Sequence, residues 1–272
     1  MSSQIMSLNT ERGVFRVCLD GDPSAPPLML SNSLGTTLEM WDPQVAALSG
    51  KYRLLRYDTR GHGHSPVTPG PYSFAELGKD VIAILDALGI ERVAFGGISM
   101  GGHIALWLGV NAPERINALM VCNSAARIGT EQVWRERAAV IDKHGQESMR
   151  MLAEGAVARW FTEAYAKRNP KVIQGILDRF VQNDHRGYAA CCQALETSDL
   201  RQDIKRIKAP VLLLTGDKDP VTTVTDSLAM LASIPNARLV VLMAAHLSNI
   251  EAADEFNATV IHFLDENLKA VA

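Results

Sequence analysis

The chain reads as an α/β protein: a mostly parallel sheet with helices on both faces and an inserted helical cap. Three observations predict it. Short leucine-rich and β-branched runs alternate with amphipathic stretches at βαβ spacing as far as Cys122. The alternation then stops, and from about Thr130 to Thr197 only helical patterning with scattered aromatics remains. Strand and helix return from Val211 to the end. A segment of about 65 residues inserted between two strands accounts for the gap, with a core at 1–126 and 196–272 and a cap at 127–195.

The elements follow in order. Gly13 to Leu19 and Leu28 to Asn32 read as strands joined across the turn-rich Asp20-Gly21-Asp22-Pro23-Ser24-Ala25-Pro26-Pro27, a hairpin-like opening. Helical patterning at Met40 to Leu48 leads to a strand at Tyr52 to Tyr57. Leu77, Val81, Ile84, Leu85 and Leu88 form the apolar stripe of a helix over Phe74 to Leu88, before a strand at Arg92 to Phe95. A helix from Met100 to Val110 ends near Asn111-Ala112-Pro113, and Ala118 to Cys122 forms the next strand. After the cap come the strands ending at Gly216 and Met243, and Ala252 to Leu268 closes the chain as a helix.

Composition narrows the function classes. With 272 residues, 47% hydrophobic, the chain buries a large core, and a net charge of −3 without a basic stripe argues against nucleic acid or an anionic membrane surface as partner. A small molecule fits better. No uninterrupted apolar run is long enough for a membrane span and no signal peptide is visible, so the expectation is a cytoplasmic protein. Cys18, Cys122, Cys191 and Cys192 lack CxxC spacing and read as reduced, buried thiols.

The chemistry centres on Gly97-Ile98-Ser99-Met100-Gly101, a G-x-S-x-G turn between a strand and a helix. So tight a turn crowds its flanks and holds the central serine in strained backbone geometry, which glycines on either side permit. An acid follows in Gly216-Asp217-Lys218-Asp219, and a histidine in Met243-Ala244-Ala245-His246. The order Ser, Asp, His is that of the α/β-hydrolase fold, and each residue follows a strand, so all three belong at the carboxyl edge of one sheet. Serine needs a base to remove its proton, histidine near neutrality is one, and a carboxylate fixes the imidazole tautomer. Ser99, His246 and Asp219 are the catalytic candidates. Asp219 is preferred to Asp217 because it takes the fourth position of Gly216-x-x-Asp219, where the turn aims a side chain back across the sheet edge. The oxyanion donors are expected from the backbone N–H of Met100 and that of Leu34, in the loop Asn32-Ser33-Leu34-Gly35. His62 and His64 lack a third partner for a metal, so their loop reads as structural, with Asp58 and Arg60 in local hydrogen bonds.

Several segments together resemble the 3-oxoadipate enol-lactonases: Asn32-Ser33-Leu34-Gly35, Tyr57 through Ser65, Gly97 through Gly102, Cys122 through Gly129, and Ala244-Ala245-His246-Leu247-Ser248-Asn249-Ile250-Glu251. The Asn-Ser-Leu-Gly and Ala-His-Leu-Ser-Asn-Ile-Glu segments separate the chain from generic esterases, many of which carry His-Gly for Asn32-Ser33 and Gly-His for Ala245-His246. The resemblance implies the α/β-hydrolase fold with a mostly parallel, eight-stranded sheet, and hydrolysis of 3-oxoadipate enol-lactone to 3-oxoadipate in the β-ketoadipate route of aromatic catabolism, through an acyl-enzyme and without a cofactor. It also implies a small-molecule substrate carrying a free carboxylate, for which Arg127, Trp134 and Arg135 at the cap entry are candidates, with Trp160 as a further pocket residue. For both tryptophans, packing and pocket lining stay open. Other readings are a carboxylesterase or lactonase of different specificity, a C–C hydrolase or perhydrolase with the same triad, and a non-catalytic ligand-binding fold. The oligomeric state is left open.

Overall fold

A computed structural model describes residues 3–268. Eight strands form one sheet: β1 (Gln4–Thr10), β2 (Gly13–Asp20), β3 (Pro27–Ser31), β4 (Arg53–Tyr57), β5 (Val93–Ile98), β6 (Ile116–Cys122), β7 (Val211–Gly216) and β8 (Ala237–Leu242), in the spatial order β1-β2-β4-β3-β5-β6-β7-β8. β1, β2 and β4 pair antiparallel, and every pairing from β4 through β8 is parallel. β5 and β7 are buried at every position, as expected of parallel strands covered on both faces.

The expected opening hairpin is corrected here. Residues 13–20 and 27–31 do not pair; β2 lies between β1 and β4, and β3 lies between β4 and β5. The hairpin is β1 with β2, turning at Glu11-Arg12 where Gly13 takes a φ of 128°. Sequence patterning missed β1 because it is an edge strand with only Leu8 fully buried, which leaves little alternation to read. After β2 the chain crosses to the far side of β4, where β3 pairs parallel with β4 and β5.

Two groups of helices cover the sheet. α2 (Phe74–Ala87) packs on α3 (Met100–Asn111), which lies along β5 and β6, and α10 (Val224–Ser233) continues this layer over β7 and β8. α1 (Asp42–Leu48), α11 (Ser248–Glu251) and α12 (Ala253–Asn267) pack together in the other layer, with α12 against β6 and β8. Local chemistry sets the helix starts: Ser73, Thr130 and Thr223 each accept a backbone N–H of the first turn, and Thr223 with Asp226 completes a capping box.

Between β6 and β7 the chain makes helices only: α4 (Glu131–His144), α5 (Glu147–Glu154), α6 (Ala156–Trp160), α7 (Glu163–Arg168), α8 (Pro170–Gln182) and α9 (His185–Thr197). α4 packs along α9 and α5 on α8. The excursion is fastened to the sheet by backbone contacts. A Cβ on Gly187 of α9 would stand 2.4 Å from the carbonyl oxygen of Gly61, so the two segments touch only because both residues are glycine. Tyr72 donates its N–H to Ala190, and Leu200 donates to Ala126 where the chain returns. Among the described residues, no helix is long and apolar enough to cross a membrane.

Candidate active site

Ser99 sits between β5 and α3 with φ 56° and ψ −115°, a conformation that costs a side-chain-bearing residue about 1–3 kcal/mol. The surroundings explain why glycines flank it. A Cβ on Gly97 would lie 2.3 Å from the Gly101 carbonyl carbon, and one on Gly101 would lie 2.3 Å from the Ser31 oxygen. The turn is held from the next strand: Ser99 N–H donates to Cys122, and the Ser124 hydroxyl donates to the Ser99 carbonyl at 2.8 Å. The sharp turn thus leaves Ser99 at the head of α3.

Asp219 follows β7 and His246 follows β8. His246 Nδ1 lies 2.8 Å from Asp219 Oδ2, and both side chains are buried. The carboxylate also accepts the N–H groups of Val221 and Thr222, the Thr222 hydroxyl, and Asn123 Nδ2 at 2.9 Å. Burial alone would push this carboxyl up. The charge of His246 and these hydrogen bonds outweigh it and hold Asp219 below its ordinary value. It therefore stays an anion that accepts from Nδ1–H, which leaves Nε2 unprotonated when the ring is neutral. Asp217 instead pairs with Lys218 on the surface.

Asn123, which sequence reasoning did not single out, joins these loops. It directly follows β6 with φ 41°, a backbone region that asparagine tolerates better than most residues. Its amide donates to Asp219 and to the Ala245 carbonyl, and its oxygen accepts the Ser248 hydroxyl. Glu251 is a second such residue: one oxygen accepts Ala245 N–H at 3.0 Å and Thr162 N–H at 3.1 Å, and the other accepts the Thr162 hydroxyl. With Leu247 N–H on the Trp160 carbonyl, this ties the His246 loop to the helices above it. Both residues lie in segments that carry the family resemblance, but apart from that the sequence marks them only by position, just after a strand or a few residues past a candidate histidine.

The loop after β3 is equally fixed. Ser33 N–H meets Met40 Sδ, Gly35 N–H donates to His62 Nε2 at 2.8 Å, and Thr36 N–H donates to Ser33, while Leu34 N–H has no hydrogen bond among the described residues. Met100 N–H opens α3, where leading N–H groups lack intrahelical acceptors. Burial lowers the pKa of His62 to about 4, so its ring is neutral and Nε2 accepts. Asn183, between α8 and α9, donates to the Gly35 carbonyl at 2.8 Å and accepts Gly63 N–H at 2.8 Å. The expected structural loop at 58–65 is present: Asp58 accepts Leu38 and His64 N–H groups, and Arg60 makes a two-point contact with Asp80.

The substrate-contact candidates divide. Trp160 is buried, edge-on to Phe180 with centroids 5.5 Å apart, and Phe180 stands edge-on to Tyr188 at 5.6 Å. Phe180 and Tyr188 press on the Gly35 loop, where a Cβ would stand 2.3 Å from Phe180. Trp134 is buried and donates its indole N–H to Ile128. The two arginines go elsewhere. Arg135 is exposed and paired with Glu131 and Glu196. Arg127 pairs with Asp199 and faces a surface cleft shared with Arg201, Asp226 and Met230. The helical period is the reason for Arg135: Trp134, Ala138 and Ile141 set the buried face of α4, and position 135 points away from it. The same period brings Arg137 inward, and Arg159 adjoins Trp160; neither was singled out from sequence. A separate apolar cleft of about 350 Å³ opens beside the Gly35 loop, lined in part by Thr36, Met40, Ile176 and Ile250.

Comparison with known proteins adds the following. Residues 26–253 match a family model described as the alpha/beta hydrolase fold. The chain is 43% identical to 3-oxoadipate enol-lactonase 2 of Acinetobacter baylyi over 88% of its length and 89% of that protein. It is 41% identical to 3-oxoadipate enol-lactonase 1 of the same organism, covering 93% of each. Among solved structures, the enol-lactonase of Burkholderia xenovorans superposes with a TM-score of 0.92 at 43% identity, over 95% of this chain and 99% of that one.

Proposed function

The chain belongs to the α/β-hydrolase fold family and, within it, to the 3-oxoadipate enol-lactonases, and on that premise we propose that it hydrolyses 3-oxoadipate enol-lactone to 3-oxoadipate with Ser99, His246 and Asp219 as its triad. The observation that carries the reading is the buried Asp219–His246 pair at the sheet edge that also bears the strained serine turn.

Ser99 Oγ attacks the lactone carbonyl and gives its proton to His246 Nε2, while Asp219 stabilises the resulting imidazolium. The oxyanion accepts the N–H groups of Leu34 and Met100. When the tetrahedral centre collapses, the ring C–O bond breaks and the leaving enolate oxygen takes the proton from His246; the enol becomes the ketone of the product. Water then gives a proton to His246 and attacks the acyl-enzyme, and the acid is released as the proton returns to Ser99. Every proton is passed through one imidazole, and no bound cofactor enters the sequence.

In this reading residues 127–195 act as a cap over the site and residues 1–126 and 196–272 as the core, of which 1–2 and 269–272 lie outside the described residues. The clasp of Asn183 on Gly35 and the seat of Leu247 on Trp160 support that division. Four free, buried cysteines support a reducing compartment, and we place the enzyme in the cytoplasm. The test is loss of lactone absorbance with purified protein and identification of 3-oxoadipate as product. Turnover of neutral esters alone, with the lactone untouched, would refute the substrate assignment.

A further inference from the structure

One neutral side chain holds the His246 turn and the acid beside it at once. Asn123 is wholly buried where β6 ends, and its amide donates to Asp219 Oδ2 at 2.9 Å and to the Ala245 carbonyl at 3.2 Å, while its oxygen accepts the Ser248 hydroxyl. Ala245 precedes His246 by one residue and Ser248 follows it by two. The amide therefore grips the turn on either side of the imidazole, and it bonds the same carboxylate oxygen that lies 2.8 Å from His246 Nδ1. Both of its N–H groups and its oxygen are used. Its own place is set by the sheet, because the Asn123 backbone N–H donates to Leu214 of β7, the strand that leads to Asp219.

Apart from His246, the remaining donors on Asp219 belong to the acid's own turn. Val221 and Thr222 give their N–H groups to Oδ1, and the Thr222 hydroxyl reaches Oδ2 at 2.9 Å. Those bonds fix the carboxylate within its turn and move wherever that turn moves. Backbone bonds from Asp217 to Leu242 and from Lys218 to Ala244 lay the two turns side by side at their bases. Among the described residues, Asn123 is the one side chain outside the Asp219–His246 pair that bonds both turns. A reacting group misplaced by about 1 Å loses on the order of 100-fold in rate, so the register between these turns matters to the chemistry. We propose that Asn123 is a positioning residue for the reaction: it registers the carboxylate against the imidazole, so that the base is aimed before substrate enters. It transfers no proton itself. The proposal rests on the triad reading above.

The test uses the full chain with Asn123→Gly, because glycine accepts the φ of 41° and the substitution removes the amide without straining the backbone. The kcat for the lactone is expected to fall about 30-fold with KM within about twofold, and labelling of Ser99 by a fluorophosphonate to slow in step, since both need an aimed base. A merely structural amide gives another pattern, a lower melting temperature with turnover and labelling unmoved. Asn249→Ala supplies the comparison: that side chain is as buried and lies on α11, but it bonds Met40 and Gln44 instead of the pair. Its kcat is expected to stay within about threefold. Asn123→Asp keeps the shape but supplies at most one proton where the amide gives two, and it loses at least about tenfold in kcat whether or not Asn123→Gly folds. Unmoved kcat and labelling in Asn123→Gly, a change confined to KM, a loss in Asn249→Ala as deep as in Asn123→Gly, or full kcat in Asn123→Asp overturns the proposal. An untouched lactone with labelling slowed in Asn123→Gly refutes the substrate reading alone; a hydrolysed lactone with neither rate moved refutes the positioning role alone.

Discussion

The sheet edge and the helical segment fastened to it fix their residues by different means. At the edge, backbone does the work: Ser99, Asp219 and His246 stand where strands end, and steric limits at Gly97 and Gly101 set the serine's geometry. In the segment, a residue's direction depends on how α4, α6 and α9 roll against one another. Backbone geometry of the first kind is written locally in glycines and strand ends, whereas helix rotation is settled by long-range packing. The comparison teaches that, under the proposed function, chemistry is specified locally and specificity globally.

The largest expected effect sharpens the first half of that contrast. Asp219→Asn keeps the shape of the network but presents an amide where Nδ1–H needs an acceptor, and kcat for the lactone is expected to fall about 10⁴-fold with the melting temperature little changed. A drop of less than tenfold would mean that the acid only packs the loop. A smaller effect tests the junction between the regions. Asn183→Ala removes the amide that holds the Gly35 carbonyl and the Gly63 N–H, loosening the loop that carries Leu34. A fall of about tenfold in kcat with KM nearly constant is expected, because the oxyanion forms only in the transition state. Steady-state kinetics separate this from a binding defect: a change confined to KM would make Asn183 part of the pocket wall.

Legibility in the sequence follows the same division. The α/β order, the serine turn and the acid and histidine positions could be read because each is marked by neighbours in the chain. β1 was lost because an edge strand with one fully buried side chain carries too little alternation. That loss also misassigned the hairpin, since β2 needed a partner and the nearest strand in sequence was the wrong one. Arg127 and Arg135 were chosen by proximity to the cap entry, although the spacing Trp134, Ala138, Ile141 turns residue 135 outward and brings 137 toward the buried side. The roles of Asn123, Asn183 and Glu251 are not legible, because a polar hub is defined by partners as distant in sequence as Asn123 is from Ser248, or Asn183 from Gly35.

The reaction account depends most on the Ser99 hydroxyl, and labelling with a serine-directed fluorophosphonate tests it directly. The account predicts one label per chain, located on Ser99 by peptide mass spectrometry, slowed by 3-oxoadipate, with lactone turnover lost in step with labelling and absent in Ser99→Ala. Label on another residue, or full-rate lactone hydrolysis by protein labelled completely at Ser99, would contradict it.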